Sequence, residues 1–183
     1  MKYHLDWLIE QYEKGEKLKF LFFWGHQPRK DGSVGDGCFS QWWPAAFVAG
    51  DASYPTAEHW MMAQKARLFG DGQALAKILQ AKTPAEAKKL GRSVENFDFK
   101  QWDEHKYGFV KAGNAHKFGQ HPDLKAFLLA TNSRILVEAS PVDSIWGIGL
   151  AKTHENIENP HSWKGQNLLG FALMEVRDEL SIG

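Results

Sequence analysis

With 183 residues, 43% of them hydrophobic and 24% charged, the chain has the size and balance of one globular domain and not of a disordered or fibrous protein. Lys plus Arg and Asp plus Glu both number 22, so the formal charge is zero; this weighs against broad nonspecific contact with nucleic acid but leaves a local basic pocket open. The one cysteine, Cys38, excludes an intrachain disulfide and a cysteine-based zinc site, and no apolar run reaches the ~18 residues of a membrane span.

Leu5, Leu8, Ile9 and Tyr12 recur at helical spacing ahead of Gly15, which predicts a short amphipathic helix. The N-terminus lacks the apolar centre of a signal peptide, so a cytoplasmic protein is expected. Leu18 to Trp24 reads as a buried strand, and residues 25–37, rich in glycine and charge, as a loop. Thr56 caps a helix over about 57–69. Gly70-Asp71-Gly72 breaks it, and a second helix covers about 73–80. Thr83-Pro84-Ala85-Glu86 is a capping box that opens a third, with Gly91 as its stop. Further helices are expected over about 101–117 and 123–130, a strand over 134–138, and a C-terminal helix marked by Leu169, Leu173, Val176 and Leu180. The pattern predicts a mainly α, multihelical single domain over residues 1–183, with two or three short β-strands and residues 1–17 packed on it as a helical extension.

Four segments carry groups that suit chemistry. After the strand at 134–138, Asp143 stands three residues before Trp146, followed by Gly147-Ile148-Gly149. A carboxylate beside a flat aromatic surface fits a substrate with a heterocyclic base and a sugar. The plainer alternative is a glycine-rich turn closed by a core tryptophan. Glu58 and Lys65 lie at i and i+7, hence on one helical face with Met62 between them. The helix dipole favours an ionised Glu58, while Lys65 can hold a phosphate or act as an amine nucleophile. A solvated acid and base flanking a core methionine would give the same pattern. Lys88, Lys89 and Arg92 complement a helix C-terminus or clamp a phosphate, Arg92 being suited to a bidentate grip. Trp42 and Trp43 are adjacent in an extended segment, so one faces the core and the other can stack on a ligand. The eight histidines form no metal-ligand spacing, and Gly147-x-Gly149 is neither a dinucleotide fingerprint nor a P-loop. No metal and no cofactor is expected.

Together these motifs resemble the YbiA-like family, also called NADAR after NAD and ADP-ribose. The resemblance runs from about Phe22 to Leu180 through Phe23-Trp24-Gly25, Phe39-Ser40-x-Trp42, Thr56-Ala-Glu58-His59, Met61-Met-Ala-Gln-Lys65-Ala, Leu90-Gly-Arg92, Lys117-Phe118, Glu138-Ala-Ser140 with Asp143, Trp146-Gly147-Ile-Gly149 and Trp163-x-Gly165-x-Asn167-x-Leu169-Gly170. This chain has Ser40-Gln-Trp-Trp43 where many members have Ser-Asn-Trp-Tyr, and a longer helix and loop before Phe39. The resemblance implies an N-glycosidase acting on a small-molecule ribosylaminopyrimidine phosphate, an early riboflavin-pathway intermediate, as metabolite damage control. Other members remove ADP-ribose from guanine in nucleic acid, and a noncatalytic ADP-ribose-binding module is a third reading.

The implied catalytic residues are Glu58, Lys65 and Asp143, and the implied substrate contacts are Trp24, Trp42, Trp43, Lys88, Arg92, Trp146, Gly147 and Asn167. Two routes stay open. In one, Glu58 and Asp143 flank an oxocarbenium-like centre and orient water. In the other, the ribosylamine opens and Lys65 captures C1 as a Schiff base, with Arg67 or Arg92 lowering the lysine's pKa. Ribosylamines open easily, which favours the second.

Overall fold

The computed structural model describes residues 1–182. It is mainly helical, as the sequence pattern predicts: among the described residues there are seven α-helices and four strands of three or four residues. No helix among them is long and apolar enough to cross a membrane. The described residues form two compact units, 1–40 with 122–182 and 41–121.

The first unit contains α1 (Leu5–Glu13), β1 (Phe20–Phe23), α6 (Pro122–Leu129), β4 (Ile135–Glu138) and α7 (Leu168–Ile182). β1 and β4 pair in parallel, Phe20 opposite Ile135 and Phe23 opposite Glu138. α7 packs on β4 with an almost wholly buried run from Leu168 to Arg177. A Cβ at Gly170 would overlap the Leu136 carbonyl, so glycine is what lets helix and strand approach. The N-terminal residues are tied to α7: the Lys2 backbone N–H donates to Glu175 (2.6 Å) and the Tyr3 hydroxyl to Asp178 (2.7 Å).

The second unit contains β2 (Phe47–Ala49), β3 (Ala52–Tyr54), α2 (Ala57–Leu68), α3 (Gly72–Gln80), α4 (Pro84–Arg92) and α5 (Phe99–Gln120). α2 is its axis, with α3, α4 and α5 packed around it. Two glycines allow that closeness. A Cβ at Gly113 of α5 would overlap Trp60, and one at Gly91 would overlap Met62. Gly91 is therefore a contact residue inside α4 and not its stop; the helix runs on to Arg92. Glu86 closes its capping interaction one residue further upstream than the box pattern implies, accepting from the Lys82 N–H at 2.9 Å. The hairpin β2–β3 is not anticipated by the sequence pattern. Its strands are three residues each, joined by Gly50-Asp51 with Gly50 at φ +60°, the glycine-first loop that suits a tight hairpin.

Candidate functional site

The start of α2 is fixed before any ligand is considered. The Thr56 side chain accepts from the His59 N–H, and its hydroxyl meets His59 Nδ1 at 2.8 Å. His59 Nε2 lies 3.1 Å from the Ala81 carbonyl, which can only accept. The ring therefore carries its proton on Nε2 and accepts at Nδ1 from Thr56. Burial pushes the His59 pKa down, which keeps this neutral tautomer. Between the two, Glu58 is buried to 3% exposure in the first turn of α2, and its N–H donates to the Gln41 carbonyl at 2.9 Å. A carboxylate at this point faces the positive end of the helix dipole.

Lys65 lies two turns along the same stripe. Its Nζ stands 4.1 Å from the Phe97 ring centroid and 5.7 Å from that of Trp102. Burial lowers its pKa, with no neighbouring cation contributing. Arg67 cannot supply that cation because two residues turn the helix by about 200°; it sits over Tyr54 instead, 5.8 Å from the ring. There it lines an open cleft of about 440 Å³ with Asp51, Trp60, Gln64 and His116. Glu58, Lys65, Lys88 and Arg92 are not among that cleft's lining residues. Between Glu58 and Lys65 the stripe is occupied by buried Met62, seated against Gly91 of α4. The two groups share a face, but protein fills the line between them.

Lys88 and Trp42 come together, the ammonium 5.8 Å from the indole centroid. Trp42 is half-buried, whereas Trp43 is buried, as the alternation of an extended segment requires. Arg92, one turn beyond Lys88 on α4, is exposed.

In the first unit, the parallel pairing brings the segments that leave β1 and β4 to the same end of the two strands. Trp24, 61% exposed, leaves β1, and the turn carrying Asp143 and Trp146 leaves β4. Asp143 Oδ1 accepts from the N–H groups of Ile145 (2.9 Å) and Trp146 (2.8 Å), and its carbonyl accepts from Gly149 (3.0 Å). One carboxylate oxygen thus shapes the turn that presents the half-buried Trp146. The outer edge of β4 is closed by this turn and by Asn167. Ile148 N–H donates to the Glu138 carbonyl at 3.0 Å. Asn167 Oδ1 accepts from Glu138 N–H at 3.0 Å, and its Nδ2 donates to the Leu136 carbonyl at 2.9 Å. Asn167 is fully buried at φ +54°, standing where a third strand would pair. Gly147 is explained by packing: a Cβ there would lie 2.8 Å from the Glu138 carbonyl.

Three buried polar residues of the second unit do not stand out as site groups in the sequence. Asn114 and Lys117 of α5 show no solvent exposure, and Gln41 shows 7%. Lys117 Nζ lies 5.1 Å from the Phe118 ring centroid. A signal is nonetheless present: Val110, Asn114 and Lys117 fall at i, i+4 and i+7, placing an amide and an amine on an apolar helical face.

A mainly helical fold with a buried carboxylate at a capped helix start defines the class. The NADAR domain model matches residues 22–181, and the chain belongs to that family. It is 45% identical over 170 residues to an N-glycosidase of Acanthamoeba polyphaga mimivirus, covering 90% of this chain and 98% of that protein. It is 35% identical over 130 residues to the N-glycosidase YbiA of Escherichia coli, covering 71% and 72% of the two chains. The NMR structure of Escherichia coli YbiA superposes with a TM-score of 0.71 at 30% identity, over 90% of this chain and 86% of that one.

Proposed function

We propose that the chain is an N-glycosidase that hydrolyses the bond joining ribose 5-phosphate to the amino group of an aminopyrimidine of the early riboflavin pathway, acting in the cytoplasm as metabolite damage control. The observation that carries the reading is the relative named an N-glycosidase, 45% identical over 98% of its own length. The side chains on α2 fit that chemistry. Glu58 is a buried acid at the positive end of a helix. Lys65 has its amine partly desolvated between two aromatic rings, which raises its neutral, nucleophilic fraction.

The reaction balances as one water added across the C1–N bond, giving ribose 5-phosphate and the free amine. On the Schiff-base route the sugar ring opens and the Lys65 amine adds to C1. The proton shed by the adding amine passes to the departing aminopyrimidine, water then releases the sugar and restores the lysine, and Glu58, held apart from Lys65 by Met62, contacts the sugar. On the direct route Glu58 orients the water and the sugar passes through an oxocarbenium-like state. In both, Trp42 stacks on the base, and Lys88 with Arg92 holds the 5′-phosphate.

The test is a side-by-side assay on a ribosylaminopyrimidine 5′-phosphate and an oligonucleotide carrying ADP-ribosylated guanine. Release of ribose 5-phosphate from the first is expected. Turnover of the oligonucleotide alone would overturn the substrate assignment. Turnover of neither, with ADP-ribose bound, would overturn the enzyme reading.

A further inference from the structure

A buried amide is stable only if both its ends find partners, and two amides beside Glu58 do not satisfy this among protein atoms. Asn114 Nδ2 donates to the Val110 carbonyl and to Gln41 Oε1, each at 2.9 Å. The Val110 carbonyl can only accept, which fixes which end of Asn114 is nitrogen. Gln41 must then present its oxygen to Asn114. Gln41 Nε2 and Asn114 Oδ1 are left buried with no hydrogen-bond partner. Both residues are more than nine-tenths buried, so bulk water does not solvate them. The same Gln41 accepts from the Glu58 N–H through its carbonyl and is followed in the chain by Trp42.

The two atoms together call for a group that both accepts and donates, as a hydroxyl does. A phosphate or carboxylate offers acceptors alone and would leave Asn114 Oδ1 unmatched. An ammonium offers donors alone and would leave Gln41 Nε2 unmatched. A hydroxyl accepts from the first and donates to the second. We propose that Gln41 and Asn114 form a subsite that takes a hydroxyl of the ribose next to Glu58. This rests on the N-glycosidase reading for the identity of the sugar, but the subsite itself rests on the amides.

The consequence is a separation of stability from binding. An amide pair with a purely structural role would lower the melting temperature when replaced. Here, replacing both amides together by apolar side chains of similar shape removes the two unmatched polar atoms along with the hydrogen bond between them, so stability stays level or rises while the sugar loses its contacts.

The probe is ribose 5-phosphate titrated into the full ¹⁵N-labelled chain. The Gln41 side-chain amide signals are expected to shift, and the double variant Gln41→Met with Asn114→Leu is expected to weaken binding about tenfold or more without lowering the melting temperature. Unmoved Gln41 signals, wild-type affinity in the double variant, or a lowered melting temperature with unchanged affinity would overturn the proposal. So would signals that respond to the free aminopyrimidine and not to ribose 5-phosphate. The wild-type titration needs no variant to fold, and it is read apart from hydrolysis. A protein that cleaves the substrate with silent Gln41 signals loses the subsite and keeps the function. One that binds the sugar through Gln41 without cleaving keeps the subsite and loses the function.

Discussion

Replacing Lys65 by methionine separates what its amine does for the fold from what it does for the reaction. The lysine stem packs along α2, and its head lies over Phe97 and Trp102 at 4.1 and 5.7 Å. A half-exposed cation over aromatic rings contributes about 0.5–1 kcal/mol. Methionine keeps the stem and restores a sulfur–aromatic contact worth about 0.3–1.5 kcal/mol. The two nearly cancel, so the melting temperature is expected to move by no more than ~4 °C in a chain of this length. If Lys65 captures C1, turnover falls ~100-fold or more, a scale that corresponds to ~2.7 kcal/mol of barrier. Because burial lowers the lysine's pKa from 10.5, the wild-type rate should drop as pH falls through that depressed value, where the amine becomes protonated. Borohydride added during turnover should fix a sugar adduct on Lys65, read by peptide mass spectrometry. Turnover within threefold of wild type in Lys65→Met, together with no adduct, would refute the nucleophile role.

Glu58→Gln keeps the shape of a buried side chain and removes its ability to move a proton; turnover is expected to fall ~100-fold or more while ribose 5-phosphate still binds. A rate near wild type would remove Glu58 from the chemistry. Asn167→Ala takes two hydrogen bonds from the edge of β4 and leaves a residue with a Cβ at φ +54°. A loss of about 3 kcal/mol is expected from two orphaned backbone groups, read as a drop of ~6–12 °C in thermal unfolding; a change under ~1 °C would contradict the edge-closing role. His59 is pushed below its ordinary 6.5 by burial. The folded state then binds fewer protons than the unfolded chain between that lowered value and 6.5, so stability falls as pH drops below 6.5. In His59→Gln the urea midpoint should decline less steeply from pH 7 to 5 than in wild type, and equal slopes would refute the assignment.

Much of the helical content could be read from the chain because it rests on local rules. Thr56 and Thr83, read as caps, each accept from a backbone N–H three residues on; Asp71, read only as part of a break, and Asp98, not read at all, do the same. Short strands were harder. The hairpin at 47–54 has three residues per strand, too few for alternation to register, and is held by contacts remote in sequence: Gln120 donates to and accepts from the Val48 backbone at 2.8 and 2.9 Å. Gly91 resembled a helix stop, since a local pattern cannot report that Met62 lies against it. Asn167 was legible as a family motif but not as the group that closes the edge of β4, 29 and 31 residues away from its partners.

By itself the sequence determined most of the helices, the caps at Thr56 and Thr83 and the face that Glu58 and Lys65 share, because propensity, capping and the 3.6-residue period act within one or two turns. Tertiary structure alone decided that Lys65 lies between aromatic rings, that Met62 fills the stretch between it and Glu58, and that Gln41 and Asn114 are buried together 73 residues apart in the chain. Burial and the pairing of polar atoms depend on what the rest of the chain brings alongside, and no local rule carries that information.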